Sequence, residues 1–413
     1  MTAPHHDGTS ADSAFIVTGR RTPVGRYGGA LSTVRPDDLA ALCIRTVVEE
    51  AGIPPEAVDE VILGNANGAG EENRNVARLA WLLAGYPDSV PGITVNRLCA
   101  SGMSAVTLAA TMVRAGDADI VVAGGVESMS RAPWVMAKPE KPFAKPGEIT
   151  DTSIGWRFTN PVLAARDKAT FSMPETAEEV ARVCGISRAD ADEFAARSQQ
   201  RAAAAIEAGH FDDEIVPVEI TGRKGAVTVF DTDEGPRPGT TTEVLARLKP
   251  VVAGGEVVTA GNSSSLNDGA SAVLVCSGRA LERFGLTPRA RIVGGASAGV
   301  APEVMGLGPV PATRKLLDRI GWDIGDLDAV ELNEAFATQS LACIRDLGLD
   351  PEIVNAWGGA IALGHPLGSS GSRIAITLLN RMEHEGARRG LATMCIGVGQ
   401  GAALALELCG EDR

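Results

Sequence analysis

The feature that most constrains the fold of this 413-residue chain is an internal repeat of predicted elements. Residues 36–128 are typical of a helix, two strands, a second helix that follows Cys99, and a buried strand. Residues 312–408 contain a helix, a strand that ends in Asn333, a strand–loop–helix segment around His365, and two adjacent strands. Such a repeat predicts a duplicated α/β unit.

The repeat also places chemically active side chains at matching points of the two units. Asn65 precedes Cys99 by 34 residues, and Asn333 precedes His365 by 32 residues. Cys99 and His365 each lie in a loop between a predicted strand and a predicted helix. If the units are symmetry mates, these loops face each other and bring Cys99 and His365 to one place.

Cys99 lies in the stretch NRLCASGMSA, immediately before an apolar run with helical spacing. A thiol at the start of a helix lies in the field of unpaired backbone N–H groups, which favours the thiolate. We therefore expect a lowered pKa for Cys99. The alternative is that this cysteine is an ordinary small core residue.

Three further residues stand at the ends of predicted strands. His365 is flanked by a glycine and a proline, so it cannot lie inside a regular helix, and a structural turn histidine is the alternative. Cys395 precedes the glycines of residues 397–401, which we interpret as a turn between two strands, because the following AALALEL is strand-like. Asn333 follows a buried strand, where an ordinary helix cap is the alternative.

Composition and charge narrow the classes of function. The net charge of −14 argues against a general nucleic-acid binder, and a polyanionic small ligand would need a local basic pocket. The seven cysteines lack CxxC spacing, so neither a disulfide framework nor a zinc site is predicted. No run reaches 18 apolar residues and the N-terminus has no signal-peptide core, so we expect a cytoplasmic protein without a membrane partner.

Residues 129–260 differ in character from both repeats. They contain a Pro/Lys-rich loop and two predicted helices joined at Gly185–Ser187. The segment is too long for a connection, so we expect it to form a cap over a site. With residues 1–13 as a disordered tail, the predicted organisation is an N-terminal half at 14–285, which includes the cap, and a C-terminal half at 286–411.

Six segments resemble the signature blocks of the thiolase family and occur in the family's order. They are NRLCASG, GGVESMS, TAGNSSSLNDGA, LNEAFA, GGAIALGHPLGSSG and CIGVGQG, and the match runs from about residue 14 to residue 411. The resemblance implies a five-layered αβαβα fold, a homotetramer built from dimers, and acyl-CoA and CoA as substrates, with no tightly bound cofactor. RYGGALS, ENRNVAR, DTSIGWRF and SMPETAEEV look most like the degradative branch, in particular enzymes of aromatic catabolism that act on 3-oxoadipyl-CoA. A fatty 3-oxoacyl-CoA is the alternative substrate.

The resemblance implies a role for each candidate catalytic residue in the CoA-dependent cleavage of a 3-oxoacyl-CoA. Cys99 would be the nucleophile that carries the acyl group, and His365 would activate it. Cys395 would be the acid and base at the α-carbon of acetyl-CoA, and Asn333 would position a water in the oxyanion hole. The backbone N–H groups of Cys99 and Gly397 would hold the oxygen of the acyl intermediate.

The positions that match CoA-binding residues of the family are Arg237, Ser264, Met305 and Phe336. Arg237 would lie near a phosphate or the adenine, and would supply positive charge that an acidic protein otherwise lacks. A buried carboxylate at the tail of the substrate would need a cationic partner, for which Arg157 is a candidate.

Two positions depart from the family pattern. Ser172 stands where biosynthetic thiolases carry a histidine, which weakens a reading as an acetoacetyl-CoA thiolase without excluding it. Trp357 stands where family members usually have asparagine, and we expect it to change the shape beside His365.

Two other interpretations of the function compete with the interpretation as a thiolase. A condensing ketosynthase relative is disfavoured because Cys395 stands in place of a second histidine. A non-catalytic, thiolase-like carrier of lipid or acyl-CoA is disfavoured because all four catalytic positions are filled.

Overall fold

The structure is a computed structural model that describes residues 11–410. Its strands are β1 (Ala14–Arg21), β2 (Gly25–Arg26), β3 (Glu60–Gly64), β4 (Gly92–Val95), β5 (Ile120–Ser128), β6 (Trp134–Met136), β7 (Ile149–Asp151), β8 (Val218–Thr221), β9 (Val227–Phe230), β10 (Asn267–Ser277), β11 (Ala290–Gly299), β12 (Ala329–Leu332), β13 (Arg389–Ile396) and β14 (Gln400–Leu408). Its α-helices are α1 (Pro36–Ala51), α2 (Val76–Leu83), α3 (Ser101–Ala115), α4 (Pro161–Ala164), α5 (Met173–Cys184), α6 (Arg188–Glu207), α7 (Thr242–Leu245), α8 (Gly278–Phe284), α9 (Pro309–Ile320), α10 (Ala337–Leu347), α11 (Ala360–Leu363) and α12 (Leu367–Glu385). Most of the predicted tail, residues 1–10, lies outside the described residues.

The main sheet has the symmetry that the repeat predicts. Its strand order is β12-β13-β14-β11-β1-β10-β5-β3-β4, with β2 added beside β10. From the central β1–β11 pair outwards, each half has two antiparallel pairings followed by a parallel one: β10, β5 and β3 on one side, and β14, β13 and β12 on the other. The two halves are therefore related by an approximate twofold axis between β1 and β11.

The strand predicted at about residue 353 is shorter in the structure than the sequence indicates. In the first half β4 pairs with β3 over four residues, whereas in the second half a single parallel bridge joins Val330 to Val354. Asn355 then leaves the extended region, with a φ of 48°. Its side-chain amide accepts from the N–H of Leu332 and donates to the carbonyl of Leu332, both at 2.8 Å. The Asn355 side chain thus replaces the next backbone pairing, and the strand stops.

Helices cover both faces of each half of the main sheet, and the core lies between these layers. Apolar residues of α3 and α12 pack in one buried cluster with the inner faces of both half-sheets. A second cluster joins α1 and α2 to the outer face of the first half, and a third joins α9 and α10 to the outer face of the second half. The order of layers is helix, sheet, helix, sheet, helix, which confirms the predicted αβαβα fold.

The central helices α3 and α12 approach each other at backbone distance. A Cβ atom on Gly102 would lie 2.6 Å from the hydroxyl oxygen of Ser372. A Cβ atom on Gly371 would overlap the backbone nitrogen of Met103. Glycine at both positions allows the first turns of the two helices, and the loops that precede them, to lie side by side.

Among residues 11–410, one segment, 98–115, is long and apolar enough to cross a membrane by length and composition. Met103, Val106 and Ala109 from this segment are buried in the central layer. Its apolar character is therefore accounted for by packing between the two half-sheets.

Candidate active site

Cys99 and His365 occupy equivalent places in the two halves. Cys99 lies two residues before the first residue of α3, and His365 lies two residues before the first residue of α12. Asn65 and Asn333 directly follow the equivalent strands β3 and β12. Because α3 and α12 are neighbours in the central layer, the fold brings these loops together, as the repeat predicts.

One cavity of about 520 Å³ contains most of the predicted site residues. The predicted residues that line it are Cys99, His365, Cys395, Gly397, Ser264, Met305 and Phe336. Residues 152–157 and 172–174 of the inserted segment also line it, so this segment covers part of the site. Asn333 lies just behind the cavity wall, in contact with His365.

The expected lowering of the pKa of Cys99 is wrong. Burial raises the pKa of its thiol to about 11, although the backbone N–H groups of Gly397 and of Cys99 itself favour the thiolate. The N–H groups of Ala100 and Ser101 donate to carbonyls within the loop, at 3.1 Å in each case. The start of α3 therefore offers the sulfur fewer free N–H groups than the sequence leads us to expect, and the resting group is a thiol.

His365 is a neutral imidazole with a defined tautomer. The hydroxyl of Ser370 donates to the carbonyl of Pro366 at 2.9 Å, so it accepts from Nδ1–H of His365 at 2.6 Å. Nε2 is therefore unprotonated, and it accepts from the side-chain N–H of Asn333 at 3.4 Å. Burial, together with the charge of Arg373, lowers the pKa of His365 to about 3. The unprotonated Nε2 is therefore the atom at which the neutral imidazole would accept a proton.

Asn333 is not a helix cap, because α10 begins only at Ala337. Its Oδ1 is buried and has no hydrogen-bond partner among the described residues. Its Nδ2 faces Nε2 of His365. A buried carbonyl oxygen with an unused lone pair can hold a water beside the imidazole.

Cys395 is buried at the end of β13 and keeps its proton. Burial and the neighbouring Cys99 raise its pKa well above the ordinary value of a thiol. It packs with Met305 and Phe336, two of the predicted substrate-binding residues. The turn of residues 397–399 joins β13 to β14, which confirms the interpretation of the glycines as a turn.

Two predicted residues lie elsewhere. Arg237 is exposed on a loop outside the cavity, and its backbone N–H donates to Oε1 of Gln199 at 2.7 Å. Trp357 does not line the cavity either, contrary to the expectation that it lies beside His365. Its ring stacks on His210 with centroids 4.7 Å apart, in a cluster with Phe211.

Two functional candidates were not found from the sequence. Glu127, at the end of β5, accepts backbone N–H bonds from Ala66, Asn67 and Gly368, and it lines the cavity. Burial raises its pKa to about 7, against the effect of these bonds. Asn67 also lines the cavity. The one feature of the sequence that could have indicated it is its place in the loop after β3, a strand that ends at the site.

Comparisons with known proteins agree with this geometry. The thiolase N-terminal domain matches residues 14–279, and the thiolase C-terminal domain matches residues 286–408. A protein of Pseudomonas aeruginosa named beta-ketoadipyl-CoA thiolase is 58% identical over 396 residues, which cover 95% of this chain and 98% of that protein. An Escherichia coli protein named 3-oxoadipyl-CoA/3-oxo-5,6-dehydrosuberyl-CoA thiolase is 56% identical over 397 residues, which cover 95% of this chain and 99% of that protein.

The fold has a solved counterpart. The crystal structure of the Bacillus anthracis acetyl-CoA acetyltransferase superposes with a TM-score of 0.90 at 42% identity. The superposition covers 96% of this chain and 99% of that chain. The fold is therefore that of a solved enzyme structure.

Proposed function

The chain belongs to the thiolase family and is an acyltransferase, and from this premise we propose that it cleaves 3-oxoadipyl-CoA. CoA is the second substrate, and the products are acetyl-CoA and succinyl-CoA. A homotetrameric assembly and a cytoplasmic location remain predictions from the family resemblance.

One observation favours a substrate that ends in a carboxylate. Among the described residues that line the cavity, Arg157 is the one arginine or lysine, and His365 is a neutral imidazole. The other charged group is Glu127, whose oxygens are already occupied by backbone N–H groups. A buried carboxylate needs a cationic partner, and the guanidinium of Arg157 offers the matching pair of donors.

The first half-reaction forms an acyl-enzyme. Nε2 of His365 takes the proton of Cys99, and the sulfur attacks C3 of the substrate. The C2–C3 bond breaks, its electron pair passes to C2, and the thiol of Cys395 protonates C2 to give acetyl-CoA. The imidazolium of His365 and a water held by Asn333 stabilise the enolate oxygen before this protonation.

The second half-reaction returns every proton. The thiol of CoA gives its proton to the thiolate of Cys395 and attacks the succinyl thioester. The backbone N–H groups of Cys99 and Gly397 hold the oxygen of the tetrahedral intermediate. Cys99 leaves and regains its proton from His365, which restores the resting site.

Thiolysis rates on three thioesters test the substrate. We expect kcat/KM for 3-oxoadipyl-CoA to exceed that for 3-oxohexanoyl-CoA by at least about 10-fold, because the two differ only in a terminal carboxylate or methyl group. Arg157→Gln removes this preference, and Arg157→Lys keeps part of it. Acetoacetyl-CoA being cleaved far faster than both would contradict the proposal and favour a biosynthetic acetoacetyl-CoA thiolase.

A further inference from the structure

Asn67 connects Arg157 to the rest of the cavity wall. Nη2 of Arg157 donates to Oδ1 of Asn67 at 3.2 Å. Nδ2 of Asn67 donates to the hydroxyl and carbonyl oxygens of Thr152, at 3.0 and 3.1 Å. Among residues 11–410, the bond to Asn67 is the one side-chain hydrogen bond that Arg157 makes. Its other N–H donors are free to meet a ligand.

The orientation of the Asn67 amide follows from its partners. The hydroxyl of Thr152 donates to the carbonyl of Pro133 at 2.6 Å, so towards Asn67 it can only accept. Nδ2 must therefore face Thr152, and Oδ1 must face Arg157. The amide presents an acceptor to the guanidinium without adding a negative charge.

Asn67 is fixed more firmly than Arg157. Its backbone N–H donates to Glu127 at 3.1 Å, and the preceding N–H of Ala66 donates to the same carboxylate at 2.9 Å. Glu127 belongs to β5 in the main sheet and also accepts from Gly368 in the first turn of α12. Arg157, in contrast, lies on the loop between β7 and α4.

We propose that Asn67 is the positioning residue that holds Arg157 for the tail carboxylate, and that this pair selects carboxylate-ended over methyl-ended 3-oxoacyl-CoA substrates. The proposal rests on the proposed function. A neutral acceptor orients the guanidinium and leaves its full positive charge for the substrate. An aspartate at the same position would neutralise that charge and repel the tail.

Steady-state thiolysis of 3-oxoadipyl-CoA and 3-oxohexanoyl-CoA tests this role in Asn67→Leu and Asn67→Asp. We expect Asn67→Leu to lower kcat/KM for 3-oxoadipyl-CoA by about 10-fold, mainly through KM, because the arginine is no longer held in place. Asn67→Asp should lower it further, by about 100-fold, because it adds a competing charge. Neither substitution should change kcat/KM for 3-oxohexanoyl-CoA more than about twofold.

A control and a double variant separate positioning from loosening of the fold. Asn75 lies on the same connection between β3 and α2 as Asn67, caps α2, and does not line the cavity. Asn75→Ala removes this cap and should leave the substrate preference intact. In an Arg157→Gln background, Asn67→Leu should have no further effect, since the residues act as a unit.

The outcomes distinguish the two proposals. Loss of the preference in Arg157→Gln but not in Asn67→Leu would overturn the role of Asn67 alone. An unchanged preference in Arg157→Gln would overturn the recognition of the tail by Arg157 as well. Equal losses on both substrates in Asn67→Leu would mean that Asn67 supports the cavity in general, which also contradicts the positioning role.

Discussion

Glu127 and Cys395 occupy equivalent positions in the two halves of the main sheet. Glu127 pairs with Gly269 across β5 and β10, and Cys395 pairs with Gly401 across β13 and β14. Glu127 is fixed by three backbone N–H bonds, whereas Cys395 is a buried thiol next to Cys99. The duplicated strand thus supplies an anchor for loops in one half and, in the other, a buried thiol for which we propose the role of proton carrier.

The raised pKa of Cys99 predicts how its alkylation depends on pH. The thiolate is the reactive form, and with a pKa of about 11 its fraction keeps rising between pH 7 and pH 10. We expect the rate of alkylation by iodoacetamide to rise about 10-fold per pH unit in this range, whereas a free cysteine levels off above its pKa of about 8.5. Comparison with the Cys99→Ser variant identifies the part of the alkylation that occurs at Cys99. A plateau below pH 8 would show a stabilised thiolate and contradict the burial argument.

His365 and Cys395 are predicted to have separable roles. His365 takes the proton of Cys99, so His365→Ala should slow both acetyl transfer onto Cys99 and thiolysis. Cys395 acts at the α-carbon, so Cys395→Ala should lower thiolysis by about 10²–10⁴-fold while acetyl transfer from acetyl-CoA survives better. The two rates are measured in both variants, after circular dichroism has shown that each is folded. Equal losses of acetyl transfer would mean that both groups serve the nucleophile.

The acyl-enzyme should carry its acyl group on Cys99. Incubation with acetyl-CoA and digestion at low pH, where thioesters persist, should give a mass increase on the peptide that contains Cys99. Cys99→Ser should lose the labelled peptide and the thiolysis activity together. Label confined to the peptide of Cys395 would reverse the assignment of the two thiols.

The sequence predicts an element well where local interactions set its ends, and poorly where tertiary interactions set them. The first helix of the repeat, α1, could be predicted because local signals set its ends: a proline in its first turn and Gly52, which adopts a φ of 66°. The short pairing at Val354 could not be predicted, since a side chain, Asn355, ends it through contacts with a distant strand.

In the candidate active site, too, some features follow from the sequence pattern and others depend on tertiary packing. The repeat predicts that Cys99 and His365 meet, because symmetry fixes their places whatever the side chains. It does not predict the pKa of Cys99, which depends on burial under distant segments. The place of Trp357 also depends on tertiary packing, and the expectation that it lies beside His365 was wrong. The contact of Arg237 with CoA stays a prediction.

The close packing of α3 on α12 gives a test of what holds the two catalytic loops together. An added Cβ at Gly371 would overlap the backbone nitrogen of Met103, and neither helix backbone can yield without moving the other. We expect Gly371→Ala to lower the free energy of unfolding by about 3 kcal/mol, measured by urea denaturation, because overpacking against backbone cannot be relieved by a rotamer change. Thiolysis should fall as well, since α3 and α12 carry the loops of Cys99 and His365.

Gly325→Ala is the matched control for this substitution. Nothing lies within 4 Å of a Cβ at that position, so its free energy of unfolding should change by less than about 0.5 kcal/mol. A Gly371→Ala variant as stable and active as Gly325→Ala would show that the helices can separate freely. In that case the meeting of Cys99 and His365 would have to depend on the loops themselves rather than on the contact between α3 and α12.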